Sequence, residues 1–136
     1  MAPVYVGSEF VLMTEQPERE LTQWLVQNYQ AFPRGLVFQL AEDRVFHDPG
    51  LFRLQTRGLN DGTIKFEKTD VVSMKVLPVY KVMLVNRGRY LAHFNRHERA
   101  IAAFKEALAF DPNLDLARQG LSESLQEMRN REWSQP

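Results

Sequence analysis

Three histidines, His47, His93 and His97, and a complete lack of cysteine bound the chemistry open to this 136-residue chain. Without cysteine there is no disulfide, thiolate metal site, iron–sulfur cluster or thiol nucleophile. His93 and His97 stand four residues apart, the spacing that puts two metal ligands on one helical face. The intervening Phe94-Asn95-Arg96 reads as a turn between two helices, which divides the pair, so no metal site is expected. His47-Asp48 supplies two parts of a nucleophilic triad, but no serine stands in a Gly-x-Ser-x-Gly elbow, and Ser8 follows Gly7 without the rest of that motif. Gly58 and Gly62 lack the lysine and the strand–turn–helix setting of a phosphate loop. The paired acids Glu18 and Glu20, and Glu42 and Asp43, fall at a helix start and in a loop, where solvated carboxylates are ordinary. The expectation is a non-enzymatic chain with no catalytic residues and no cofactor.

Composition sets the next bounds. Hydrophobic residues make up 44% of the chain, and nine Phe, four Tyr and two Trp exclude a disordered chain, which lacks such residues. No apolar run reaches the roughly 18 residues of a membrane span; the best candidate, Val71 to Val85, is broken by Lys75, Pro78 and Lys81. Met1-Ala2-Pro3 runs straight into Val4-Tyr5-Val6 without the basic start and apolar core of a secretory signal. A soluble chain is expected. Its net charge is zero, yet the charges are segregated: residues 51–110 carry 11 basic and 5 acidic groups, while residues 1–50 carry 3 and 7. The basic middle reads as a solvated face in preference to a polyanion-binding patch. Aromatics at helical spacing are core residues more often than stacking platforms, so nucleic acid is not an expected partner.

The elements that would hold these residues follow from periodicity and breakers. Val4-Tyr5-Val6 is a short β-type run ended by Gly7-Ser8. Thr14 is a candidate N-cap, with Pro17 and Glu18 in the first turn of a helix whose Leu21, Trp24, Leu25, Tyr29 and Phe32 recur at helical spacing. Pro33 stops that helix, and Leu36 to Leu40 has strand length. Strand, helix, strand predicts a parallel pair with a right-handed crossover. Residues 41–50 form a polar connection closing on Asp48-Pro49-Gly50. Leu51 to Thr56 and Thr63 to Glu67 read as two strands joined across Asn60-Asp61-Gly62. Asp70 is a candidate helix cap, and Pro78 marks a break or a fresh helix start.

From Lys81 to Leu114 the sequence resembles one tetratricopeptide repeat. The match rests on Gly88 in the first helix, Ala100, Phe104 and Ala107 in the second, and Pro112 after it. Gly88 and Ala100 are small where two antiparallel helices must approach, Phe104 and Ala107 form a large-and-small packing pair, and Asp111-Pro112 ends the second helix. Asn95 stands at the tight turn, where asparagine tolerates a left-handed conformation. Departures are Arg87, where the family usually has leucine, and Leu91, where tyrosine is common. Residues 115–131, with Leu116, Ala117, Leu121, Leu125 and Met128, read as a closing helix. In the family, one face of the first helix lines a peptide groove. By position that face is Val82, Val85, Arg89, Ala92 and His93, with Arg89 as the charged anchor for an acidic or extended segment.

Ala2 to Val6, Trp24-Leu25 to Tyr29, and Pro33 to Leu40 are similar to the soluble C-terminal region of polytopic, protein O-mannosyltransferase-like membrane proteins. That resemblance implies the extracytoplasmic tail of a larger protein, with the catalytic acids in the absent membrane part. The alternative it raises is an accessory domain of a membrane glycosyltransferase-like protein, periplasmic if it is such a tail and otherwise cytoplasmic. The expected fold is α+β (or a small α/β): an α/β unit over residues 1–69 packed on a tetratricopeptide-like helical region over residues 70–136, forming one integrated domain, since a lone repeat needs support. The expected function is protein–protein interaction or assembly through a protein or peptide partner.

Overall fold

The computed structural model describes residues 2–7, 18–50 and 72–135. The Thr14 cap, Pro17, the hairpin across Leu51 to Glu67 and the Asp70 cap fall outside the described residues. The fold is α+β, and contacts gather into two compact units, Met1–Arg53 and Leu54–Pro136.

In the first unit, β1 (Val4–Gly7), α1 (Glu18–Asn28), β2 (Gln30–Arg34) and β3 (Val37–Ala41) build a three-stranded sheet of order β1-β3-β2. Both pairings are antiparallel, with Val6 opposite Phe38 and Pro33 opposite Phe38. The expected parallel crossover is therefore wrong. The cause is β2, which the helical spacing of Tyr29 and Phe32 concealed: α1 stops at Asn28, and β2 returns the chain before β3 begins. Pro33 sits inside β2 because that strand lies at a sheet edge, where a missing N–H breaks no ladder bond among the described strands. Gly35, with φ of 66°, opens the two-residue loop Gly35-Leu36, and glycine reaches that positive φ at no steric cost. Strand alternation gives each sheet face one buried ring, Phe38 beside Val6 and Pro33, and Phe32 beside Gln39 and Tyr5.

Helix α1 ends on its own chemistry and on a borrowed side chain. Asn28 Nδ2 donates to Trp24 O at 2.7 Å, and Arg44 Nη2 donates to Val26 O and Gln27 O at 3.1 and 2.9 Å. A guanidinium on the last carbonyls satisfies orphan acceptors and complements the negative end of the helix dipole. The apolar stripe expected of this helix is only partly covered, since Leu21 and Trp24 are about half exposed.

In the second unit a π-helical turn (Val72–Val76) leads into α2 (Leu77–His93), with Pro78 in its first turn as a fresh helix start requires. Then follow α3 (His97–Phe110) and α4 (Asp115–Ser134), which runs three residues past the expected end. The turn between α2 and α3 places Asn95 at φ 60°. Arg96 N–H bonds Leu91 O at 2.8 Å and Asn95 N–H bonds Ala92 O at 2.9 Å, the paired bonds of a Schellman motif with asparagine in its left-handed position. Asp111 leaves α3 in an extended conformation, as expected of Asp111-Pro112.

The core of this unit is a ring between two glycines. Phe104 on α3 is fully buried. A Cβ on Gly88 of α2 would lie 2.5 Å from Phe104 Cε1, and one on Gly120 of α4 would lie 2.6 Å from the same atom and closer still to Cζ. Ala100, Ala107 and Ala117, all without exposed surface, keep the helices near enough for this. Lys81 Nζ bonds Asp111 Oδ2 at 2.8 Å and ties the start of α2 to the end of α3. At the opposite end Arg131 Nη2 bonds Asn95 Oδ1 at 2.9 Å and ties the turn to α4. Of the residues expected on the inner face of α4, Ala117 is buried and Leu121 and Met128 are half-buried, while Leu116 and Leu125 are exposed; Ser124 takes a buried place instead.

These contacts set the direction of two substitutions. Gly120→Ala gains about 1 kcal/mol of helix propensity but drives a methyl into the Phe104 ring, where overpacking costs about 1–3 kcal/mol. The net effect is a lowered midpoint in thermal unfolding followed by circular dichroism. Phe104→Leu combined with Gly120→Ala should lose less stability than the two single losses added, because the smaller side chain admits the methyl. Additive losses would show that ring and glycine are not coupled.

Candidate functional site

Helix α2 is continuous from Leu77 to His93, so Val82, Val85, Arg89, Ala92 and His93 share one of its faces by helical spacing. That face turns away from the one carrying Leu84, Gly88 and Leu91, the last of which is among the most buried residues of the unit. Along it, Val85 is buried at 6% exposure, Val82 and Ala92 are half-buried, and Arg89 and His93 are exposed. The surface offered by the five is therefore two partly covered apolar side chains flanked by a cation and an imidazole, with Val85 as a support beneath. His93 stands edge-on to Phe94 with centroids 5.0 Å apart, and Phe94 in turn lies 5.0 Å from Tyr90. This aromatic group stiffens the end of the face next to the turn.

The basic stretch that runs along this region in the sequence is thinner in space. Of Arg87, Arg89, His93, Arg96, His97 and Arg99, two are buried, Arg87 at 9% and His97 at 8% exposure. Arg87 is buried on α2, at the position where the repeat family usually has leucine. His93 closes α2 and His97 opens α3, so the pair belongs to two helices. The other four basic side chains remain at least partly exposed.

The first unit holds the second arrangement with chemical potential. His47 Nε2 lies 2.6 Å from Asp43 Oδ1, so a neutral His47 must carry its proton on Nε2 to donate this bond. Phe32 stacks on the imidazole at 4.9 Å and 11° and fixes the ring plane. The carboxylate on His47 Nε2 is thus that of Asp43, four residues before it. Asp48 closes its own loop, accepting the Gly50 N–H on Oδ1 at 2.8 Å and the Arg34 guanidinium on its carbonyl at 3.0 Å. An aspartate-oriented histidine is the middle of a triad, but among the described side chains of this unit the hydroxyls are those of Tyr5 and Tyr29 only. The same bond closes the polar connection of residues 42–50 onto β2 through Phe32, which is a structural task.

A shallow groove of about 440 Å³ in the first unit is lined by Val4, Trp24, Leu25, Tyr29 and Leu40, with Gln39 and Glu42 at polar positions. Trp24 and Tyr29 meet edge-to-face at 5.9 Å. No group of three or more metal-ligating side chains occurs among the described residues. No described helix is long and apolar enough to cross a membrane. No family model, curated protein or solved structure matches the chain.

Asp43 yields a prediction with a definite sign. The hydrogen bond from His47 holds its carboxyl below the usual carboxylate range, with help from the Val45 N–H and against partial desolvation. The folded state therefore binds this proton less readily than the unfolded state. The resulting stabilisation is present above the unfolded carboxyl value of about 3.9 and is lost as pH falls through the lower folded value. Asp43→Asn should lower the unfolding midpoint near neutral pH and converge on the unsubstituted protein under strongly acidic conditions. Midpoint curves that run parallel across the acid range would show that the pair is not linked to folding.

Proposed function

We propose that the helical unit is a non-enzymatic protein-interaction module of tetratricopeptide type, which uses the exposed face of α2 to hold an acidic or extended peptide segment. The observation that carries this reading is the seating of Phe104 between Gly88 and Gly120. It arranges three helices so that α2 packs through its Leu84–Gly88–Leu91 side and leaves the Arg89 side for another contact. The left-handed Asn95 and the Schellman bonds support the same reading, because they set a tight antiparallel return between the first two helices. Val82 and Ala92 supply partly covered apolar surface, and Arg89 supplies a charge at its centre. A guanidinium pairs with carboxylates through two parallel N–H bonds, which favours an acidic residue on the partner.

The test is selection of peptides from a random display library on the whole immobilised chain, followed by affinity measurement in solution. Peptides carrying Asp or Glu should be enriched. Arg89→Ala should weaken the best of them by about tenfold, the worth of one charge-assisted hydrogen bond. Gln126→Ala on the exposed side of α4 should leave binding unchanged. Selected peptides without acidic residues, or affinities indifferent to Arg89, would overturn the assignment of this face.

A further inference from the structure

We propose that the groove at the C-terminal end of α1 binds a small organic cation, the methylated ammonium group of a low-molecular-weight ligand. This site belongs to the first unit and is independent of the α2 face. The groove has a volume of about 440 Å³ and is lined by Trp24 and Tyr29, by Val4 and Leu40 of the sheet, and by Gln39 and Glu42.

Two aromatic rings wall it. Tyr29 directly follows α1, and its N–H closes the last turn onto Leu25 O at 2.7 Å. Asn28 Nδ2 holds the Trp24 carbonyl at 2.7 Å, so both rings stand on a fixed turn. Their planes meet at 61° with centroids 5.9 Å apart. Rings inclined in this way make a corner, and a cation in such a corner is attracted by the negative charge over the π-faces. Trp24 is 52% exposed although it is the largest apolar side chain of α1, so a ligand can reach it.

The charge of the groove has one sign. Among the described lining residues Glu42 is the one charged side chain, and it is exposed. Arg44, two residues further on, lies outside the lining and donates to the carbonyls of Val26 and Gln27. Glu42 repels an anion. A primary ammonium is drawn to the carboxylate, but it is compact and strongly hydrated and does not settle against apolar side chains.

A methylated ammonium meets both demands, because its charge is spread over methyl groups that make apolar contacts. Val4 and Leu40 are cross-strand partners and so present their side chains together on one face of the sheet. They offer the methyl groups an apolar contact, while the charge faces the rings and Glu42. The volume is that of a pocket for a whole small molecule and exceeds what one methylated head requires. Gln39 supplies a neutral donor and an acceptor for the remaining polar groups of the ligand.

The experiment is an NMR titration of the whole chain with choline, followed on the indole N–H groups of its two tryptophans. Trp24 should shift saturably, while Trp133, 88% exposed on α4, should not and serves as the internal reference. The neutral isostere of choline, with a tert-butyl group in place of trimethylammonium, should bind about tenfold more weakly. Ammonium chloride at matched ionic strength should give no saturable shift. Trp24→Leu, read on the Leu40 amide, should weaken choline binding about tenfold. Glu42→Gln should weaken it about threefold and keeps the site testable should the loss of Trp24 disturb α1. No saturable shift of Trp24 up to roughly 50 mM choline, equal affinity for the neutral isostere, or full affinity in both variants would overturn the proposal. A trimethyl-lysine peptide that binds where choline does not would overturn the small-molecule assignment.

Discussion

The helical unit depends on a steric bargain at one ring. Phe104 can be fully buried on α3 only because the helix on either side presents a residue with no side chain to it. Gly88 and Gly120 are both mid-helix, where glycine costs about 1 kcal/mol relative to alanine. Burying a phenylalanine is worth about 1.5–3 kcal/mol, which offsets the cost of the two glycines, and the arrangement also sets the spacing of three helices. With the ring seated, Ala100, Ala107 and Ala117 come close enough to exclude solvent completely, and the turn at Asn95 must be tight. The latches at the two ends then have defined positions. Lys81 meets Asp111 and Arg131 meets Asn95 because the helix axes are already fixed between them.

That half of this bargain was legible in the sequence has a physical reason. Gly88, Ala100, Phe104, Ala107 and Pro112 sit at fixed offsets within one hairpin, and small-beside-large is a pattern a linear reading can recognise. Asn95 could be placed at the turn because few residues tolerate a positive φ. Gly120 was not legible in the same way. It lies in a segment whose apolar residues suggested a covering helix by periodicity, and glycine carries no periodicity signal of its own. Leu116 and Leu125 misled in the opposite sense, since both are apolar and both are exposed. The face of α4 that packs is chosen by small residues, Ala117, Gly120 and Ser124, which fit against a bulky ring better than leucine does.

The first unit shows a different failure. Tyr29 and Phe32 continue the spacing of Trp24 and Leu25, and three-to-four-residue spacing over so short a stretch does not separate a helix end from a strand start. What ends α1 is remote in sequence: Arg44, some sixteen residues further on, donates to the carbonyls of Val26 and Gln27. Once β2 exists, the whole sheet changes sense, because one added strand reverses the direction in which β3 runs. A proline inside that strand reads as a breaker until the edge position is known. Asp48 closes its own loop, and Asp43, four residues before His47, bonds the imidazole, a pairing that adjacency in sequence does not suggest.

The buried polar residues of the helical unit separate its scaffold from its chemistry. Arg87, His97 and Ser124 are buried, and each belongs by sequence to a run of charged or polar residues. Ser124 is explicable as a small side chain facing the packed side of α4, and Arg87 as a long stem that covers apolar surface beside its charge. His97 admits neither account, because its imidazole has no flexible stem and both of its nitrogens are without a partner. It also stands where a helix begins without a cap. The Phe104 bargain explains how the hairpin holds its shape, and it does not explain the burial of His97.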